Sequence, residues 1–144
     1  MFDQWKVLYL GEVKAESDLF CRALAEEQFA GNCTAVRSLH GAKLYLERGL
    51  YMPRALSRPD IIVINSHPDC DAPVREFVHW VRSQPQLHDT PIITYITALW
   101  SFDAQEQARH EGLTELIVRP GTFEDLVWQV HALLERCVNR CVVP

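Results

Sequence analysis

Along the chain, short apolar runs rich in β-branched and aromatic residues alternate with longer stretches whose apolar positions recur at helical spacing, the pattern of repeated βα units around a parallel sheet. Strands are expected at Trp5 to Leu10, Asn32 to Arg37, Asp60 to Asn65, Pro91 to Ile96 and Glu115 to Arg119. The third and fourth are nearly continuous Ile and Val, as buried central strands are, whereas the second and fifth read as peripheral. Apolar stripes mark the helices between them: Phe20, Ala23 and Leu24; Ala42, Tyr45 and Leu46; Val74, Phe77, Val78 and Val81; and, in the last, Phe123, Leu126, Val127, Val130 and Leu134. The fourth helix, about Phe102 to Glu111, has mainly Ala104 and Ala108 to pack. Gly49 and Gly112 stand where helix stops are expected.

Composition narrows the picture. A chain of 144 residues, 48% hydrophobic and 23% charged, can bury one sizeable core, so a single domain is expected over residues 1–144, with a core of about 5–138 and no output domain. The net charge of −5, with 14 scattered basic residues, argues against nucleic acid or an anionic membrane and for a protein partner. No apolar run reaches the length of a membrane span. Five cysteines (Cys21, Cys33, Cys70, Cys137, Cys141), odd in number and without a CxxC pair or apolar leader, indicate a reducing cytoplasm. Cys137 and Cys141 share a helix face but have no histidine nearby, and the six histidines show no ligand spacing, so no metal site is expected.

In open parallel sheets the functional crevice lies beyond the carboxyl ends of the central strands, where chain order reverses. That rule selects Gly11, Glu12 and Val13 after the first strand, Asn65, Ser66 and His67 after the third, Ile96 and Thr97 after the fourth, and Arg119-Pro120 after the fifth. An acid, an amide, a hydroxyl and a cation converge.

With these residues assembled, the sequence resembles the CheY-like receiver domains of two-component response regulators. The resemblance rests on Lys6-Val7-Leu8-Tyr9-Leu10 running into Gly11-Glu12, on Arg58-Pro59-Asp60-Ile61-Ile62-Val63-Ile64 before Asn65, on Thr90-Pro91-Ile92-Ile93, and on Leu116-Ile117-Val118-Arg119-Pro120 followed by Phe123-Glu124-Asp125-Leu126. It implies a flavodoxin-like (βα)5 doubly wound sheet of five parallel strands in the order 2-1-3-4-5. The proline-containing stretch before Asp60 also resembles small stand-alone receivers associated with bacterial phytochrome kinases.

A working receiver holds Mg²⁺ on two acids after the first strand, takes a phosphoryl group on an aspartate ending the third, senses it with a Ser or Thr and neutralises it with a lysine. Carried over by position, the acids become Glu12 and Val13, the acceptor Asn65, the sensing hydroxyl Ile96 (or Thr97, one residue on), and the lysine Arg119. Every chemical position departs from the pattern. A neutral amide lacks the charge and nucleophilicity of a carboxylate, and Val13 removes a hard ligand, so the resemblance implies neither phosphoryl catalysis nor bound Mg²⁺ or other cofactor.

What remains is a receiver-like signalling domain that works by binding a protein such as a sensor kinase or downstream signalling protein, or a second copy of itself. The resemblance places the output face on the fourth helix, fifth strand and fifth helix, which makes Leu99, Trp100 and Phe102 candidates for contact. Two rivals stand beside this reading. One is an active phosphoacceptor using a displaced acid such as Asp69 or Asp71, since Asn65-Ser66-His67-Pro68 is one residue shorter than the family's usual run to its proline. The other is a flavodoxin-like cofactor binder, against which Gly11-Glu12-Val13-Lys14-Ala15 places an acid where a phosphate cradle needs free amides and hydroxyls.

Overall fold

The computed structural model describes residues 6–27, 33–51, 58–65, 72–96 and 101–142. Among the described residues, five strands, β1 (Val7–Gly11), β2 (Cys33–Val36), β3 (Ile61–Asn65), β4 (Ile92–Ile96) and β5 (Glu115–Val118), alternate with five helices. These are α1 (Lys14–Glu26), α2 (Leu39–Leu50), α3 (Ala72–Ser83), α4 (Phe102–His110) and α5 (Phe123–Val142), and a 3-10 turn lies at Pro85–Leu87. All strand pairs are parallel, in the order β2-β1-β3-β4-β5. This is the flavodoxin-like arrangement expected, with the reversal of chain order between β1 and β3.

Every residue of β1, β3 and β4 is buried, as their largely apolar sequences favour, with Asn65 and Thr94 the polar residues among them, while β2 and β5 are partly exposed at the edges. The strand period of two sorts their side chains into two layers. Leu8, Leu10, Ile62, Ile64, Ile92 and Ile96 face α2, α3 and α4. Val7, Tyr9, Ile61, Val63, Ile93 and Tyr95 face α1 and α5.

Element bounds shift slightly from the expected ones, for local reasons. Pro91 has no N–H to enter the ladder, so β4 begins at Ile92, while β1 extends to Gly11 because Gly11 still pairs with Asn65. Gly49 is not a helix stop; it is buried in the last turn of α2, which runs to Leu50. Gly112 does end α4, at φ +116°. Ala104 is exposed, leaving Ala108 as the buried residue of α4. Leu113, just beyond the stop, adds its side chain to the same layer.

Arg82, at the end of α3, ties these turns together. Its guanidinium donates to the carbonyls of Gly112 (2.9 Å), His88 (2.8 Å) and Thr90 (2.7 Å) and to Thr114 Oγ1 (3.2 Å). Thr114 Oγ1 also accepts from the Ile92 backbone N–H at 2.9 Å, so one cation braces the starts of β4 and β5.

Candidate functional site

The face of the sheet that carries Tyr9 and Tyr95 also carries Asn65, two residues beyond Val63, and Arg119, two beyond Ile117. Four neighbouring strands therefore each deliver one polar side chain to the same layer at their carboxyl ends, as the strand period dictates. Helix α1 adds Glu16, Leu19 and Phe20, and the β5–α5 junction adds Pro120, Gly121, Thr122 and Phe123, with Leu126 behind. Together they enclose a cleft of about 260 Å³.

Asn65 is the hub. It is 3% exposed, and its amide bonds on both sides. Nδ2 donates to the Tyr9 hydroxyl at 2.7 Å and to Glu16 Oε2 at 2.9 Å, while Oδ1 accepts from Arg119 Nε at 2.6 Å. The amide orientation follows from charge: reversing it would set Oδ1 against a carboxylate and Nδ2 against a guanidinium. A neutral dipole thus bridges an acid and a base. An aspartate here could supply neither N–H bond and would add a second negative charge within hydrogen-bond distance of Glu16.

The space next to Asn65 is filled in a correlated way. Gly11 is its partner in register, and a Cβ at Gly11 would stand 2.7 Å from Tyr9 Cε1. The Tyr9 ring occupies the room a side chain at position 11 would need. That ring stacks at a tilt on Phe20, centroids 4.7 Å apart, and Phe20 meets Tyr95 edge-on at 6.4 Å. Burial pushes the Tyr9 phenol up to about 12 against the lowering effect of its bond from Asn65. Burial raises Tyr95 further, and its buried hydroxyl finds no partner among the described residues.

Of the expected site residues, Asn65 and Arg119 come together. Glu12 and Val13 do not join them: both are exposed in the link from β1 to α1, Val13 at 44%, and Gly11 is the residue beside Asn65. Ile96 is corrected by the strand period. Its side chain packs in the opposite layer with Leu10 and Ile64, and Tyr95 lines the cleft instead. Phe102 is 73% exposed at the start of α4. Thr97, Leu99, Trp100, Ser66, His67, Asp69 and Asp71 lie outside the described residues.

Sequence reasoning missed Tyr9, Glu16 and Tyr95. Tyr9 and Tyr95 were legible as same-parity neighbours of Asn65 on adjoining strands. Glu16 had no such signal, since its meeting with Asn65 depends on how α1 packs.

The described donors are a poor match to Mg²⁺, which takes hard oxygens in octahedral array. Asn65 Oδ1 is engaged by a guanidinium, Gly11 offers no side chain, and among the described residues Glu16 is the carboxylate lining the cleft. Among the described residues no three His, Cys, Asp or Glu side chains cluster to hold a metal ion. Likewise, no described helix is long and apolar enough to cross a membrane.

No family profile and no curated protein matches the sequence. Solved structures do. The phosphorylated cyanobacterial phytochrome response regulator RcpA superposes with a TM-score of 0.73 at 24% identity, over 97% of this chain and 99% of that one. The chemotaxis response regulator CheY4 of Vibrio cholerae gives 0.68 at 21% identity, over 90% and 98%. The Mn²⁺-bound form of response regulator Rcp1 gives 0.64 at 21%, over 89% and 91%. From end to end, then, the chain has the fold of CheY-like response-regulator receiver domains.

Proposed function

We propose that the protein is an atypical receiver of two-component-type signal transduction that acts by protein–protein contact, with little or no phosphorylation and no enzymatic activity of its own. The observation that carries this is the bonding of Asn65, which donates to Glu16 and Tyr9 and accepts from Arg119. The position that would need a free carboxylate is a saturated amide facing an acid. Phosphoryl transfer depends on positioned cations around the transferring oxygens, and among the described residues the cation beside Asn65, Arg119, donates to the amide.

The partner in this reading is a protein: a sensor kinase, a downstream signalling protein or a second copy. Large apolar side chains are exposed on three consecutive elements along one edge of the sheet, Phe102 on α4 (73%), Val118 on β5 (50%) and Trp128 on α5 (67%). Aromatic residues left in water on neighbouring elements are the usual anchors of a protein interface.

Incubation with acetyl phosphate and Mg²⁺, read by intact mass, tests the chemistry. No phosphoryl adduct is expected; an adduct mapped to Asp69, Asp71 or Glu12 would establish a displaced acceptor and overturn the binding-only reading.

A further inference from the structure

Two cysteines separated by 12 positions meet on the opposite flank of the domain from Phe102 and Trp128. Cys21 lies midway along α1 and Cys33 opens the edge strand β2, where it stands in register with Val7. Their sulfurs are 3.0 Å apart, both residues are partly exposed, and both thiols are free. The crossover from α1 into β2 makes the pair, which is why no CxxC spacing announces it.

We propose that Cys21 and Cys33 form a peroxide-reactive dithiol, with Cys21 the attacking thiol and Cys33 the resolving one, whose product is a disulfide tying α1 to β2. A disulfide needs its sulfurs about 2.05 Å apart, so bond formation asks for an approach of about 1 Å between side chains already in contact. The hydrogen bond between the sulfurs decides which attacks. With Cys33 as the donor, that bond lowers Cys21 to about 7 against the opposing effects of burial and of Asp18. Cys33 is pushed well above the ordinary thiol range by the same bond and by its own burial. Cys21 is thereby the sulfur with the greater thiolate character at neutral pH.

The steps balance. The Cys21 thiolate attacks one oxygen of hydrogen peroxide, the O–O bond breaks, and Cys21 becomes a sulfenic acid while hydroxide leaves and takes up the proton Cys21 had released. The Cys33 sulfur attacks the Cys21 sulfur, the S–O bond breaks, and the departing hydroxide takes the Cys33 proton as water. Two thiols and one peroxide become one disulfide and two waters; the sulfurs lose two electrons and the peroxide gains them. Because α1 also carries Glu16, the crosslink bears on the helix that holds Asn65.

The test treats the reduced full chain with hydrogen peroxide and reads intact mass and non-reducing peptide maps. The expected result is a loss of about 2 Da with the Cys21 and Cys33 peptides joined. In Cys33→Ser, dimedone is expected to trap a sulfenic acid at Cys21; in Cys21→Ser, Cys33 stays unlabelled. Alkylation by iodoacetamide at pH 7 should be about ten-fold faster at Cys21 than at Cys33. Oxidation of Cys70 or Cys141 with Cys21 and Cys33 left reduced would overturn the proposal, as would an undiminished mass loss in Cys33→Ser. The wild-type peptide map decides the matter even if a variant misfolds.

Discussion

At the scale of single residues, the cleft is a set of mutual constraints. Asn65→Asp replaces two donated hydrogen bonds by a buried carboxylate between Glu16 and Arg119; burial and the Glu16 charge are expected to outweigh the guanidinium, so the new acid should titrate above its ordinary range. A carboxyl whose folded pKa is raised binds its proton more tightly in the fold, so stability is lost as pH rises from about 4 through that pKa. The melting temperature of the variant should therefore fall further below wild type at pH 7 than at pH 4.5, and adding Glu16→Gln should recover much of the deficit. An equal deficit at both pH values would count against the Glu16 contact. Gly11→Ala is a second test: its methyl meets the Tyr9 ring, and a cost of about 1–3 kcal/mol is expected by chemical denaturation. Combined with Tyr9→Val, which vacates that space, the cost of Gly11→Ala should shrink, a non-additivity that a purely local backbone effect would not produce.

At the scale of elements, the domain is joined by contacts that reach between helices. His131 on α5 bonds Glu27 at the end of α1 at 2.9 Å and Glu135 one turn on at 3.0 Å. The hydrogen bond that His131 donates to Glu27, with both acids nearby, raises the His131 pKa. A raised histidine contributes stability that is complete below its unfolded value of about 6.5 and is lost as pH rises through the folded one. The fall in melting temperature above pH 6.5 should accordingly be shallower in His131→Gln than in wild type. Arg82→Ala, which strips the brace from four acceptors, is expected to cost about 2–3 kcal/mol and to speed hydrogen exchange at Gly112 and Thr114.

These contacts mark what a sequence can disclose. Strands β3 and β4 were legible because both faces are buried and their sequences are short runs dominated by Ile and other β-branched or aromatic residues. Asn65 and Arg119 were legible because strand ends follow from strand positions. Ile96 was misplaced because a one-residue difference in where a strand is thought to end turns the side chain to the other face. Glu16, the Arg82 brace and the Cys21–Cys33 pair depend on helix docking and on contacts across 49, 30 and 12 positions, for which local periodicity carries no information.

At the scale of the whole molecule, a receiver-like fold carries a cleft organised around an amide. Phe102, Val118 and Trp128 then become the features that make output testable. In Phe102→Ala with Trp128→Ala, association with a kinase, a downstream protein or a second copy should weaken at least about ten-fold, with the melting temperature nearly unchanged. For self-association the check is light-scattering mass against concentration. An unaltered association curve would remove this edge from the output surface.

On the proposed reading, the saturated amide also sets a time scale by removing one. A phosphorylated aspartate is a decaying mark, and its hydrolysis is a clock that tells a pathway when to stop. Asn65, with its N–H and oxygen already satisfied, stores nothing that can expire. On the proposed reading, the signal such a domain carries is its own copy number weighed against that of its partner, and the response ends when one of the two is diluted or degraded.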